Sequence, residues 1–208
     1  MSGIIAQNTL GNTGLVKSPE AAGGAWNHIK KLTASSSDDL SFVDGSSDVI
    51  LDSTYIEYVF YFINILPATD GQHWTFNVSI DGGSNYNVAK TGIGYDTNQN
   101  EAGTTFNFRN NSNYGGGQAT GHVQMVENAG NGADEGISGY LHLFNPASTI
   151  FVKHYICRVH SYQLNNEQTD SFSAGYANTA SAVDAVQFKF ASGNIASGDI
   201  IMHGLSST

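Results

Sequence analysis

Charge is scarce in this 208-residue chain: Asp, Glu, Lys and Arg together make up 12% of it, about half the usual share. Cations are the scarcer sign, with 8 Lys and Arg against 18 Asp and Glu and a net charge of -10. A groove that follows a phosphate backbone needs clustered Lys and Arg, so nucleic acid is excluded as a partner class. Cys157 is the single cysteine, so no intrachain disulfide forms and folding needs no oxidising compartment. No apolar run has the length of a membrane span. The opening Met1-Ser2-Gly3-Ile4-Ile5-Ala6-Gln7-Asn8 lacks the basic start and long apolar middle of a signal peptide, so the expectation is a product made in the cytoplasm, with no membrane partner. Missing too are a Gly-x-Ser-x-Gly elbow, a Walker A loop, a His-Glu-x-x-His helix and a Cys-x-x-Cys pair, which leaves no nucleophile or cofactor motif. The expectation is that the chain is not an enzyme and carries no cofactor.

What is present points to strands. Helix formers are sparse, while Gly (24 residues) and aromatics (11%) are frequent beside Val, Ile and Thr. From Trp26 onward, short apolar or alternating runs are cut by turn clusters. They fall at 28–33, 40–43, 56–66, 73–80, 86–88, 104–108, 121–127, 139–144, 151–162, 171–176, 185–191 and 199–205. No repeat of fixed period is visible, which argues against a propeller or β-helix. The fold expected is all-β: a jelly-roll-like antiparallel β-sandwich over residues 26–208. Residues 1–25 differ. They have no period of 2 or 3.6, several glycines, and apolar pairs at Ile4-Ile5 and Leu15-Val16, and are expected to form an extended N-terminal arm that docks on a partner through those pairs. At ~3.3 Å per residue it would reach on the order of 80 Å. The charge is also uneven: residues 1–31, which take in Lys30 and Lys31 beyond the arm, carry a net +2 and residues 32–208 a net -12.

The run Ile56-Glu57-Tyr58-Val59-Phe60-Tyr61-Phe62-Ile63-Asn64-Ile65-Leu66 is apolar on both faces of a strand, Tyr58, Phe60 and Phe62 on one and Val59, Tyr61, Ile63 and Ile65 on the other. A sandwich covers one face, so the expectation is a subunit interface, assigned to Tyr58, Phe60 and Phe62, and a homotrimer. The stretch Lys153–Tyr162 alternates, with His154, Ile156, Arg158, His160 and Tyr162 on one face and Cys157 on the other. Its two His are about 20 Å apart, too far to share a metal. Glu127, Asp134 and Glu135 offer a carboxylate set, but acidic residues among Gly and Asn serve turn geometry first. The 127–136 loop and Asp81-Gly82-Gly83-Ser84-Asn85, the latter read as a hairpin turn, lack the spacing of a dedicated calcium loop. Gly115-Gly116-Gly117 reads as a flexible loop. Trp74, Tyr86, Tyr95 and Tyr114, in or beside turns, are candidates for stacking on sugars.

Taken in order, Lys31-Leu32-Thr33-Ala34-Ser35, Phe42-Val43-Asp44-Gly45, Leu51-Asp52-Ser53-Thr54-Tyr55, Tyr58-Val59-Phe60, Asp81-Gly82-Gly83-Ser84-Asn85-Tyr86, Ser138-Gly139-Tyr140-Leu141-His142-Leu143-Phe144 and Ser192-Gly193-Asn194-Ile195-Ala196-Ser197-Gly198 resemble a group of virion structural proteins of tailed bacteriophages, frequent in marine phages. The resemblance covers about residues 29–205. Members close on an Ile-x-Leu-Tyr-Gly type segment, from which Ile201-Met202-His203-Gly204-Leu205 departs. The resemblance implies a non-enzymatic, oligomeric particle component, a head decoration or tail fibre protein located in the virion and in contact with capsid or tail proteins. It supplies no catalytic residues. Two alternatives stay open: a carbohydrate-recognition module for a host-surface glycan, and, more distantly, a depolymerase.

Overall fold

The structure, a computed structural model, describes residues 25–206. Twelve strands follow one another: β1 (Trp26–Ser37), β2 (Leu40–Val43), β3 (Glu57–Pro67), β4 (Gln72–Ser79), β5 (Lys90–Asn100), β6 (Phe106–Asn110), β7 (Val123–Ala129), β8 (Ile137–Phe144), β9 (Lys153–Tyr162), β10 (Glu167–Ala177), β11 (Ala185–Phe190) and β12 (Ile195–Leu205). One sheet has the order β1-β12-β3-β8-β9-β10-β5-β6 and the other β2-β11-β4-β7, with every pairing antiparallel.

Setting aside the pairs β5–β6 and β9–β10 leaves β1-β12-β3-β8 facing β2-β11-β4-β7, in which the chain crosses between sheets in the doubly wound order of a jelly roll. The two added pairs lengthen one sheet beyond β8, which gives the all-β sandwich eight strands on one side and four on the other. The Asp81–Asn85 turn therefore corrects the hairpin reading: it carries the chain from β4 in the small sheet to β5 in the large one.

Between the sheets lies an aromatic core. Phe188 of β11 sits 5.2 Å from Phe60, 5.1 Å from Phe62 and 6.2 Å from Trp74, ring centre to ring centre, and Phe42 lies 5.2 Å from Phe60. Each such side chain contributes roughly 1.5 to 3 kcal/mol by leaving water. Tyr58, Phe60 and Phe62 belong to this core and are 0% exposed in a single chain, which corrects their assignment to a subunit interface. The face of β3 that looks outward holds Val59, Tyr61 and Ile63 instead. Ile65 is buried with the core because the pairing shifts between Phe62 and Ile65, where Asn64 takes a left-handed φ of 50° and re-aims the strand.

The four-stranded sheet is too narrow to cover the inner face of β5 and β10. A turn at Ser112–Tyr114 does so, placing the buried Tyr114 hydroxyl 3.3 Å from Ser171. This close approach explains the glycines of β5: a Cβ on Gly94 would stand 2.4 Å from Tyr114 Cβ, and one on Gly115 would stand 2.0 Å from the carbonyl carbon of Gly92. Gly115 is therefore packed backbone to backbone, not held in a free loop. Arg109 of β6 closes the same region, its Nε 2.8 Å from the wholly buried Asp96 of β5 and its Nη2 bonded to Glu127 of β7. Lys90 and Lys153 are also fully buried, in register on either side of Ala177, and their ammonium groups donate to loop carbonyls and, for Lys90, also to the Asn77 side-chain oxygen of β4, rather than to carboxylates. Burial pulls the Lys90 pKa down to about 7. The surface thus loses two of its few cations.

Candidate functional site

Apart from loop residues such as Ile150 and Phe151, the exposed apolar side chains gather on the outer face of the eight-stranded sheet. Strand register sets which residues meet there. Tyr61 pairs with Tyr140, Tyr140 with Arg158, Arg158 with Phe172 and Phe172 with Tyr95, so one transverse row runs across β3, β8, β9, β10 and β5. Its members touch. Tyr61 and Tyr140 rings are 6.4 Å apart, the Arg158 guanidinium lies 4.7 Å from the Phe172 ring centre, and Phe172 stacks on Tyr95 at 5.1 Å and 14°. Phe108 of β6, in register with Thr97, meets the end of the row diagonally, 5.3 Å from Tyr95. Arg158 is fixed from two sides: its Nε and Nη2 donate to Asp170 at 3.1 and 2.8 Å while its plane covers Phe172.

On one side of this row the same strands carry Ile93, Ile156 and Ala174, which with Tyr95 and Phe172 form a shallow apolar cleft. Ile93 is 69% exposed and Ile156 49%. On the other side the chemistry changes. Thr97, Gln99, His160, Gln168 and Asp170 line, with the exposed Phe106 on the edge strand, a depression of about 270 Å³. One half-sheet thus carries an apolar patch and a polar, aromatic one end to end.

Toward β1 the face gathers histidines. His28, His203 and His142 point outward here, on β1, β12 and β8, while His154 and His160 point outward from β9 further along the sheet. His28 and His203 rings are 5.4 Å apart, and Tyr61 lies 5.7 Å from His203. Burial, and then the neighbouring His28, lower the His203 pKa below the ordinary value for histidine. His142 bonds to Glu57 through Nδ1. Among the described residues no group of three His, Cys, Asp or Glu side chains is arranged to hold a metal ion.

The predicted candidates are distributed unevenly over this site. The alternation of β9 is observed, with His154, Ile156, Arg158 and His160 exposed and Cys157 buried, its thiol pushed up to about 12 by burial. Of the four aromatics considered for sugar stacking, Trp74 and Tyr114 are wholly buried and Tyr86 is half-buried; Tyr95 alone stands on the open face. The three carboxylates do not act as a set: Glu127 is bound by Arg109 and Asn111, and Glu135 accepts the Gly132 amide in its own turn. Asp81 is turned into its loop, accepting from Ser79 and Asn85, contacts that lower its pKa. Ile4, Ile5, Leu15 and Val16 lie outside the described residues. Sequence reasoning missed the ladder and the Phe106 depression, because register, not spacing along the chain, brings their members together.

No family model matches this chain, and neither a curated protein nor a solved structure matches it.

Proposed function

We propose that this chain is a non-enzymatic structural protein of a tailed-bacteriophage particle, displayed on the particle surface as a homotrimer and attached through residues 1–25. The observation that carries the reading is the apolar patch of Ile93, Ile156, Ala174, Tyr95 and Phe172, open on the outer face of the large sheet. An exposed contiguous apolar surface of this kind marks an interaction site. A second copy of the chain is the partner it fits. Two bodies carrying a net charge of -10 repel wherever their acidic surfaces meet, and this patch is uncharged, with the adjoining Arg158 already neutralised by Asp170.

Association through the face is also favoured over association through an edge. The long edge strand β1 carries Lys30 and Lys31 and a bulge between His28 and Lys30, features that keep a further strand from adding to it. Attachment is assigned to residues 1–25 on the apolar pairs Ile4-Ile5 and Leu15-Val16 and on their freedom from the body's negative charge, Lys17 standing against Glu20. The phage assignment itself rests on the residue pattern, and an acidic body suits display in many copies at high local density.

The test is deletion of residues 2–24. The truncated protein is expected to be folded and oligomeric, and absent from purified particles when it replaces the full chain. Incorporation at the parental level would remove the attachment role from these residues, and unfolding of the truncated body would remove the division of the chain into two parts.

A further inference from the structure

We propose that the depression around Phe106 is a binding subsite for one neutral hexose unit of a glycan. The site stands on its own geometry, whether or not the chain belongs to a particle. Its parts come in two neighbouring rows. In one, Phe106 pairs with Gln99 and Gln99 with Gln168; in the other, Phe108 pairs with Thr97, Thr97 with Asp170 and Asp170 with His160. Each row begins with an exposed aromatic ring and continues with hydrogen-bonding side chains at a spacing of about 4.8 Å. That combination matches the two chemistries of a pyranose. One side of the sugar ring is a patch of C–H groups that lies flat on an aromatic face, and its rim is a set of hydroxyls that each donate and accept.

The rim groups of the depression supply both roles. Gln99 and Gln168 each offer an amide donor and a carbonyl acceptor, Thr97 a hydroxyl and His160 a ring nitrogen. Asp170 is the fixed point. Arg158 holds both of its oxygens, so the carboxylate is oriented before any ligand arrives, and each oxygen keeps lone-pair capacity for a hydroxyl. His160 is tied to Gln168 at 3.4 Å, which orients that side chain as well. Binding therefore has little ordering of Asp170, His160 and Gln168 to offset.

Charge selects the ligand class. The nearest cation, Arg158, is occupied by Asp170, and Glu101 and Glu167 lie at the same end of the sheet, where Glu101 accepts from the Tyr162 hydroxyl. An acidic sugar or a phosphate would meet uncompensated negative charge here, and a neutral sugar would not. A protein partner is served better by the Ile93 and Ile156 patch, which is apolar where this depression is polar.

The experiment is saturation-transfer NMR on the full chain with the methyl glycosides of glucose, galactose, mannose and N-acetylglucosamine at millimolar concentration. Transfer to at least one of them is expected, strongest on ring C–H protons. Phe106→Ala and Gln168→Ala should each weaken that binding about tenfold or more, while Ile93→Asp, in the apolar patch, should leave it unchanged. Phe106 is 69% exposed on a short edge strand, so its removal leaves the fold intact, which circular dichroism checks. Absence of transfer from all four glycosides, or binding that survives both substitutions, would overturn the proposal. Neither result bears on whether the chain is a particle component, which the residue 2–24 deletion tests separately.

Discussion

Phe60→Asp is expected to leave no folded protein, whereas Tyr61→Asp, one residue along, is expected to fold. Phe60 is 0% exposed, and its ring lies 5.2 Å from both Phe42 and Phe188 at the meeting of the two sheets. Removing the ring from such a site costs about 3 to 5 kcal/mol. A carboxylate put in its place would stand among aromatic side chains without a cation, at a cost of several kcal/mol more. The sum rivals the whole stability of an ordinary domain, roughly 5 to 15 kcal/mol. Tyr61 points to the opposite side of the same strand and is 36% exposed, so water solvates a carboxylate there. Far-ultraviolet circular dichroism and the soluble yield of the two variants measure the difference. A soluble, folded Phe60→Asp protein would mean that the inner and outer faces of β3 are wrongly assigned.

Arg109→Ala is the second large effect, expected to lower stability by about 3 to 5 kcal/mol. The Asp96 carboxylate is fully buried, and its Oδ1 has the Arg109 Nε at 2.8 Å, while its Oδ2 has no protein partner. Without the guanidinium, a charge remains inside the sandwich with nothing to balance it. The same side chain reaches Glu127, so the substitution also unties the added strands β5 and β6 from the small sheet. Chemical denaturation reads the loss as a lower midpoint. The variant Arg109→Ala/Asp96→Asn should recover much of it, because the buried charge is gone. If Arg109→Ala unfolds at the parental midpoint, the pair does not stabilise the closure.

These two sites also mark how far the residue pattern alone could be followed. Alternation in β9 was legible because one face is apolar and the other polar, so period 2 assigns every side chain from His154 to His160. In β3 the strand was legible but its orientation was not: both faces are apolar, and only the position of the second sheet, together with the bulge at Asn64, decides that Phe60 and Ile65 face inward. Strand β5 was hidden by Gly92, Gly94 and its run of Thr, Asp, Asn and Gln, a composition normal for a loop. Those glycines are required by Tyr114 and Gly115, which press on the strand from a distant part of the chain. The Tyr61 to Phe108 ladder and the Phe106 depression were hidden for a related reason. Phe172 reads as an ordinary strand aromatic until antiparallel register sets it between Arg158 and Tyr95. Buried Lys90 and Lys153 run against every compositional expectation for lysine, and become intelligible only when their loop carbonyl partners are seen.

The proposed joining of copies runs through Ile93 and Ile156 on the outer face of the eight-stranded sheet. Light scattering of the full chain at micromolar concentration, beside the Ile93→Asp/Ile156→Asp variant, tests it most directly. Both side chains are solvent-exposed in a single copy, so the substitutions leave the core untouched. The parent is expected to be a trimer and the variant a folded monomer, with equal unfolding midpoints once the parent is diluted to dissociation. A parent that is monomeric, or a variant that retains the parent's mass, would contradict it.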